Sequence, residues 1–366
     1  MHIKKTILST VVLLSALCSC NEKRVSEGSK KAGLHINNIV TASVETTPTP
    51  RTKMDDSADD PALWYDAEDS TRSFVIGTDK KGGLATYNLQ GKQLNYYPDG
   101  EMNNCDLRYG FALGKDTVDI LASSNRTTHS ISLYKIGARG VLEQIHVREI
   151  RTAMKGEVYG LCLYKSKISD KFYVFINSKA GEIEQWELFE NSGKVDALMV
   201  RAFNVGTQTE GMVADDETAI VYLGKEKAGI YKFAAEPDAS TDGTIIANSS
   251  EENTNLNYDI EGIAIYDTGC GNGYLLASSQ GNYSFAVFER QKDNKYLGSF
   301  RIEDGSIDGV EETDGIDICS LPLGAAFPKG ILLVQDGFNY DKKKLTSQNF
   351  KYISWEEVEK AIARME

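Results

Sequence analysis

Histidine and paired cysteine are scarce in this chain. Its 366 residues include four histidines, scattered at positions 2, 35, 129 and 146. None of the four cysteines beyond residue 20 belongs to a Cys-x-x-Cys pair. These absences argue against a zinc knuckle, a dithiol redox centre and a histidine-based metal or catalytic site. Cys105, Cys162 and Cys319 fall in apolar runs, and we expect the body cysteines to be free thiols.

Positive charge is also in deficit. The chain has 40 Lys and Arg residues against 53 Asp and Glu residues, a net charge of −13. Such a balance opposes nucleic-acid binding and favours a cationic partner or a bound metal ion. A charge that serves only solubility is the alternative. With 41% hydrophobic and 9% aromatic residues, the chain has the composition of a globular protein.

The apolar run near the amino terminus is too short to cross a bilayer. It covers residues 7–17, follows two lysines and fits the core of a signal peptide. It ends in Leu17-Cys18-Ser19-Cys20, which resembles the lipobox of bacterial lipoproteins with Cys20 as the lipidated residue. We therefore predict a signal peptide at residues 1–20 and a lipid anchor on a bacterial membrane, at the cell envelope or surface. Cleavage without lipidation, followed by secretion, is the alternative.

Six short segments share one pattern. Each begins with an acidic residue or a tyrosine, continues with a small residue, glycine or proline, and ends in a short apolar run. Their spacings are 46, 53, 51, 51 and 53 residues. Propeller blades repeat every 40–50 residues or so. The repeats predict an all-β, six-bladed β-propeller over residues 46–366, in which five carboxylates and one phenol ring a single mouth. These residues are Asp60, Asp106, Tyr159, Glu210, Glu261 and Asp314.

The sequence between these segments predicts further strands in each repeat. Runs rich in Val, Ile, Tyr and Phe alternate with Gly, Asn, Lys and Ser. Because the last repeat has little sequence left, we predict that residues 39–44, within a polar tether at 21–45, supply its fourth strand and close the ring. The one predicted helix covers residues 358–365, after a capping box formed by Ser354 and Glu357.

A second set of equivalent positions lies in the loop after each second strand. The first three repeats have cations there and the last three have acidic or amide side chains: Lys80, Arg126, Lys179, Glu226, Gln280 and Asp336. Facing one another across one mouth, these groups would suit a polyanion held partly by Lys and Arg and partly by metal ions. Solvated turns are the alternative. As loop residues, the cations should change stability by only about 0.5 kcal/mol when substituted.

The acidic segments offer oxygen donors to a metal ion. Donors are dense at residues 55–60, 259–261 and 304–317. Such hard ligands favour Ca²⁺, with Mg²⁺ or Mn²⁺ as weaker choices. None of these segments has the spacing of an EF-hand loop, so the site would be assembled from several blades. Without a metal, the clustered carboxylates would raise one another's pKa.

Several segments together resemble the β-propeller phytases, the calcium-dependent alkaline 3-phytase family. The likeness runs in order from about Met54 to Trp355. It implies a six-bladed propeller, dependence on several Ca²⁺ ions and stepwise release of phosphate from phytate, myo-inositol hexakisphosphate. We expect a monomer. The segments are Ala58-Asp59-Asp60-Pro61-Ala62-Leu63-Trp64, Asn103-Asn104-Cys105-Asp106-Leu107-Arg108-Tyr109-Gly110, Val158-Tyr159-Gly160, Gln208-Thr209-Glu210-Gly211-Met212, Asp259-Ile260-Glu261-Gly262, Ala277-Ser278-Ser279-Gln280-Gly281-Asn282 and Thr313-Asp314-Gly315-Ile316-Asp317.

The resemblance also implies roles for individual residues. Substrate-contacting groups fall on Lys80, Arg126, Lys179 and Gln280, and the family's phenol falls on Tyr159. Its calcium-binding and catalytic carboxylates fall on Asp60, Glu210, Glu226, Asp259, Glu261, Asp308 and Asp314. A further, more structural calcium would be held by Asn104, Asp106 and Asp336. The chain departs from the family at Lys225, where an acidic residue is common.

The resemblance implies a mechanism in which water attacks phosphorus. Metal ions would neutralise the phosphate and lower the pKa of a bound water, which would attack in line with the leaving oxygen. The chain has no Arg-His-Gly motif, and none of the four cysteines beyond residue 20 has an arginine six residues on, so no covalent intermediate is expected. Two alternatives remain open: a calcium-dependent lactonase or esterase, and a calcium-stabilised propeller that binds without catalysis. The first would not need three cations in the mouth.

Overall fold

The computed structural model describes residues 32–53, 55–291 and 293–365. It confirms an all-β, six-bladed β-propeller with one helix near the carboxyl end. Each blade is an antiparallel sheet whose first strand lies at the propeller axis, because the first strands of successive blades contact one another around a closed ring. Among the described residues, no helix has both the length and the apolarity needed to span a membrane.

The strands follow one another blade by blade. Two short strands come first: β1 (Ile39–Thr41) and β2 (Val44–Glu45). Blade 1 consists of β3 (Ala58–Trp64), β4 (Phe74–Asp79), β5 (Gly83–Asn88) and β6 (Gln93–Tyr97). Blade 2 consists of β7 (Met102–Leu113), β8 (Asp116–Asn125), β9 (Ser130–Ile136), β10 (Leu142–Gln144) and β11 (Ile150–Arg151), the last two both pairing with β9. Blade 3 consists of β12 (Val158–Lys165), β13 (Phe172–Ser178), β14 (Glu182–Asn191) and β15 (Lys194–Asn204).

The remaining blades repeat this plan. Blade 4 consists of β16 (Thr209–Asp215), β17 (Ile220–Lys225), β18 (Gly229–Ala234) and β19 (Thr244–Ile245). Blade 5 consists of β20 (Ile260–Gly269), β21 (Asn272–Ser279), β22 (Ser284–Glu289) and β23 (Tyr296–Glu303). Blade 6 contains β24 (Ile316–Cys319), β25 (Ile331–Asp336), the small hairpin of β26 (Tyr340–Asp341) and β27 (Lys344–Leu345), and β28 (Asn349–Ser354). Helix α1 (Trp355–Ala363) follows directly.

The amino-terminal strands complete two different blades. Strand β2 pairs with β28 and is the outermost strand of blade 6, which closes the ring. Strand β1 instead pairs in parallel with β23 and adds a fifth strand to blade 5. The predicted closing strand at residues 39–44 was therefore wrong in extent, because the bend between Thr41 and Val44 divides it between two sheets.

The predicted carboxyl-terminal helix is present, and it begins directly after Ser354, the residue predicted to cap it. Ser354 occupies the N-cap position, but its side chain makes no capping hydrogen bond and its buried hydroxyl has no partner among the described residues. The capping box was therefore wrong, because Ser354 also ends the buried strand β28. The helix is held by packing instead, since Trp355 stacks on Tyr266 with ring centroids 3.7 Å apart.

The hydrophobic core is divided into six clusters, one between each pair of adjacent blades. The cluster between blades 6 and 1 includes Phe350 and Tyr87, and it seals the junction of the two chain ends. Stability therefore comes from contacts between neighbouring blades, and the axis is left to polar side chains.

A bulge near the start of the inner strand defines the equivalent position in each blade. The pairing of the first two strands skips two residues in blades 1 to 5, and the first skipped residue points to the axis in register with its neighbours. We call these residues the ring residues: Asp59, Asn103, Tyr159, Glu210, Glu261 and, just before β24, Asp314. The predicted register was wrong in blade 1 by one residue and in blade 2 by three, where Asp60 and Asp106 had been chosen.

Glycine follows the ring residue in four blades because the next blade lies too close for a side chain. A Cβ at these glycines would lie between 1.8 and 2.6 Å from the backbone carbonyl oxygen of the next ring residue. Relief of such a contact would require the backbone to shift, because a carbonyl oxygen cannot rotate away as the end of a flexible side chain can. The glycines are Gly160, Gly211, Gly262 and Gly315.

We expect Gly211→Ala to lower the free energy of unfolding by about 2–3 kcal/mol, because its Cβ would lie 2.1 Å from the carbonyl oxygen of Glu261. Gly137→Ala is the control, since a Cβ at Gly137 would lie 3.4 Å from its nearest neighbour, an ordinary van der Waals contact. Denaturant unfolding of the two variants provides the measurement. Equal stability of the two variants would contradict the close approach of the inner strands.

Candidate active site

One end of the axis carries a cluster of five carboxylates, four buried and one half-buried, which we call the mouth. It is formed by the ring residues Asp59, Glu210, Glu261 and Asp314 together with Glu226 at the end of blade 4's second strand. Carboxylate oxygens of Glu210, Glu226 and Glu261 lie within 4.8 Å of one another. Like charges so close together require protons or a cation between them.

Several oxygens of this cluster are buried without a hydrogen-bond donor among the described residues. They are Oδ1 of Asp59, Oε1 of Glu226 and Oε2 of Glu261, whereas Oδ2 of Asp59 makes no hydrogen bond but faces the Lys80 ammonium. Buried polar atoms are nearly always satisfied, so unpaired carboxylate oxygens indicate a missing positive group. The donor set is all oxygen, which fits a hard divalent cation better than a soft one. The carboxylates present therefore fit a metal ion.

Burial and mutual repulsion make these groups weak acids when no metal is present. Burial raises the pKa of Glu226 and of Asp314 to about 7, and the charge on Glu210 adds to both shifts. Burial and the Glu210 charge also raise the pKa of Asp59 and Glu261 well above the ordinary values. A bound cation would remove this penalty.

Lys80 supplies one internal cation to the cluster. Its Nζ lies 2.6 Å from Asp314 Oδ2, 2.7 Å from Asp56 Oδ1 and 3.2 Å from Asp59 Oδ2. The residue is 5% exposed, which excludes for Lys80 the alternative of a solvated turn. Its substitution would leave buried carboxylates unpaired, a larger effect than the 0.5 kcal/mol or so expected of a loop residue. Gln280 donates to the other Asp314 oxygen at 2.7 Å.

Arg126 and Lys179 form a second cationic group at the mouth. Glu157 lies between them, with Arg126 Nε donating to Oε1 at 2.5 Å and Lys179 Nζ 3.1 Å from Oε2. Lys179 Nζ also lies 4.6 Å from the centre of the Tyr159 ring. Asn103 joins this group to the carboxylates, since it donates to Glu210 Oε1 at 2.7 Å and accepts from Arg126 at 3.4 Å.

Other predicted site residues lie below the mouth along the axis. Asp60 accepts from the backbone N–H of Cys105 at 3.0 Å, which joins blades 1 and 2. Asp106 accepts from Leu163 N–H at 2.8 Å, which joins blades 2 and 3, and pairs with Arg108. With Asn104 they line an axial cavity of about 40 Å³. Asp60 and Asp106 thus make bonds between blades, one level below the ring residues.

Asp308 and Asp336 belong to a separate group in blade 6. Both contact the buried ammonium of Lys351, with Asp336 Oδ2 at 2.9 Å. Among the described residues, no hydrogen bond or ion pair joins Asp336 to Asn104 or Asp106, the other residues expected at one structural calcium. Asp259 is half-buried beside the mouth, where burial and the Glu210 charge raise its pKa despite Lys227. Cys20 lies outside the described residues.

The sequence prediction missed Asn103 and Glu157 of the mouth, and it named Asp59 only as one of the oxygen donors at residues 55–60, not as the ring residue. Asp59 and Asn103 stand inside segments that resemble the family, and an alignment on the residue two before the apolar run would have found them. Glu157 directly precedes the Val158-Tyr159-Gly160 segment but occupies no position shared by the repeats. The four body cysteines are unpaired, as expected; Cys105 and Cys162 are buried, but Cys319 is half-buried and Cys270 is exposed.

The fold and the mouth define a six-bladed propeller whose axis ends in a carboxylate cluster able to hold a metal, flanked by lysine and arginine. Comparison with known proteins agrees with this class. The family model described as Phytase matches residues 4–366. The chain is also 43% identical to the 3-phytase of Bacillus subtilis (strain 168) over 333 residues, which cover 89% of this chain and 86% of that protein. The chain belongs to the phytase family.

The stability of the metal-free protein should fall as the pH rises from about 4 to about 7. The pKa of Glu226 and Asp314 is about 7 in the folded state, above the values of an unfolded chain, so the folded state binds more protons in this range. Thermal melts in chelator across this range provide the measurement, and Glu226→Gln should reduce the slope. A melting temperature that rises with pH in chelator would contradict this account of the mouth.

Proposed function

We propose that this protein is a calcium-dependent 3-phytase, which releases phosphate stepwise from phytate. One observation carries the proposal: unpaired buried carboxylate oxygens and the Arg126–Lys179 pair lie at the same mouth, joined through Asn103. A polyphosphorylated substrate needs both kinds of group, since cations bind its phosphates and carboxylates recruit metal ions to them. Family membership and the 3-phytase relative support this reading.

Calcium is the metal that the donor set favours. Asp59, Glu210, Glu226, Glu261 and Asp314 offer carboxylate oxygens, with Asp259 beside them, and no nitrogen or sulfur ligand stands among them. Bound Ca²⁺ would neutralise the phosphate and lower the pKa of a nearby water. The family resemblance assigned Asp60 and Asp308 to the calcium-binding carboxylates and Asn104, Asp106 and Asp336 to a structural calcium. We keep these five as proposed calcium ligands outside the mouth.

The cationic side chains would bind and orient the phosphate. Arg126 and Lys179 would hold its non-bridging oxygens, and the Tyr159 ring would fix the position of Lys179 through their cation–π contact. Lys80 and Gln280 would hold Asp314 in place and approach the substrate from the opposite side of the mouth. Water would attack phosphorus directly, and Glu210, fixed by Asn103, would help to orient it.

We expect Arg126→Ala to reduce phytate turnover about a hundredfold, equivalent to roughly 3 kcal/mol of transition-state stabilisation. Its melting temperature should change little, because Glu157 is partly exposed and keeps Lys179 as a partner. Arg151→Ala, which removes an exposed arginine paired with Glu149, is the matched control. Phosphate release from phytate with Ca²⁺ and with chelator provides the measurement.

Two results of this assay would contradict the proposal. Near-normal turnover by Arg126→Ala would exclude the phosphate contact. No release by the wild-type protein in Ca²⁺ would leave a propeller that binds calcium without catalysis.

We further propose that the protein is exported and anchored by a lipid on Cys20, with residues 21–45 as the tether and first strands of a monomeric propeller. The lipobox-like segment before Cys20 motivates this proposal. Intact-mass measurement of the membrane fraction should find a chain that begins at Cys20 and carries acyl groups. Cys20→Ser should abolish the added mass and release the protein from membranes. A mature chain without lipid would support secretion instead.

A further inference from the structure

The carboxylate of Glu157 occupies the space between the two cations assigned to phosphate. Oε1 accepts from Arg126 and Oε2 faces Lys179, so each oxygen serves one cation. The side chains of Arg126, Lys179 and Glu157 are 16%, 35% and 40% exposed, so the triad opens to solvent. Two oxygens of a phosphate group would reach these cations in the same way.

The backbone that carries Glu157 is fixed from three sides. Its own carbonyl accepts from Lys179 N–H at 3.0 Å. The carboxylate of Glu182 accepts from the N–H groups of Lys155 and Gly156, the latter at 2.8 Å. The His129 ring donates to the Gly156 carbonyl, also at 2.8 Å. These hydrogen bonds hold the backbone of Glu157 in place at the mouth, although its side chain is partly exposed.

We propose that Glu157 is an internal counter-anion, which occupies the Arg126–Lys179 anion site when it is empty and is displaced by a phosphate group of the substrate or product. The choice of phosphate as the ligand rests on the proposed phytase function. In the empty site Glu157 keeps both cations ordered. In the occupied site its negative charge opposes the bound phosphate and favours release of the product.

Glu157 has two opposite effects on anion binding, and we expect the repulsion between its carboxylate and the anion to be the larger one. Ordering two long side chains in advance assists binding, but a phosphate dianion bound beside a carboxylate meets like charge at short range. The carboxylate remains charged at neutral pH, because hydrogen bonds from Arg126 and Lys179 outweigh burial and lower its pKa. Removing the charge while keeping the shape should therefore tighten anion binding.

The test is Glu157→Gln in the full, calcium-loaded protein, with inorganic phosphate as the probe and calcium kept below its precipitation limit. Calorimetry should give a dissociation constant for phosphate about tenfold lower than that of the wild type. Phosphate should also inhibit turnover at correspondingly lower concentration, and KM for phytate should fall. Glu187→Gln is the control, because Glu187 lies on β14 and pairs with Lys171 instead of with the cations of the mouth. This variant removes the same charge and should leave phosphate binding unchanged.

Unchanged or weaker phosphate binding by a folded Glu157→Gln protein would overturn the proposal and leave Glu157 as a residue that only positions the cations. If this variant does not fold, Glu157→Asp replaces it: the shortened carboxylate should tighten phosphate binding to a smaller degree, and wild-type affinity would refute the idea. Calorimetry requires no turnover. A wild-type protein inactive on phytate but with the expected calorimetric difference would therefore refute the proposed function and keep the inference.

Discussion

The repulsion among buried carboxylates at the mouth is the constraint on which the site depends. Six equivalent positions, five of them at a strand bulge, point at one axis, and four of them carry a carboxylate. Packing between blades brings these groups together whether or not they repel, because the hydrophobic clusters lie between the blades and do not include the axis. The fold therefore forces a concentration of negative charge that only protons, Lys80 or metal ions can offset.

The chain separates this charge into levels. Carboxylates at the mouth have oxygens without hydrogen-bond donors. Asp60 and Asp106 below them instead accept backbone N–H groups from the inner strand of the next blade. The lower carboxylates thus act as ties between blades, and the upper ones are left with unused ligand atoms. Burial alone does not distinguish the two levels, since each contains a buried aspartate, Asp59 or Asp60, and a half-buried one, Asp314 or Asp106; the available hydrogen bonds do.

The architecture could be predicted from the repeat spacing, and the site only in part. Six periods of similar length define six blades because each blade needs the same four strands. The register failed in blades 1 and 2 because Asp60 and Asp106 are also acidic residues before apolar runs, and the prediction followed acidity instead of the distance to the apolar run. Strand pairing shows the bulges that select Asp59 and Asn103. Glu157 could not be found from the repeats, since its position depends on where Arg126 and Lys179 meet. The burial of Lys80 likewise depends on Asp314, which is 234 residues away in the chain.

The pairing of β2 with β28 means that blade 6 cannot be completed until synthesis of the chain is nearly finished. Val44 lies opposite Tyr352, so a strand made near the start of the chain must wait for one made near its end. Until the last residues are available, blade 6 is incomplete and its inner edges are unpaired. Blades 1 to 4 contain only consecutive strands and can form as they emerge, but the ring cannot close on a partial chain. The site takes its carboxylates from blades 1, 4, 5 and 6 and its Arg126–Lys179 pair from blades 2 and 3, so a product truncated before blade 6 cannot contain the complete site.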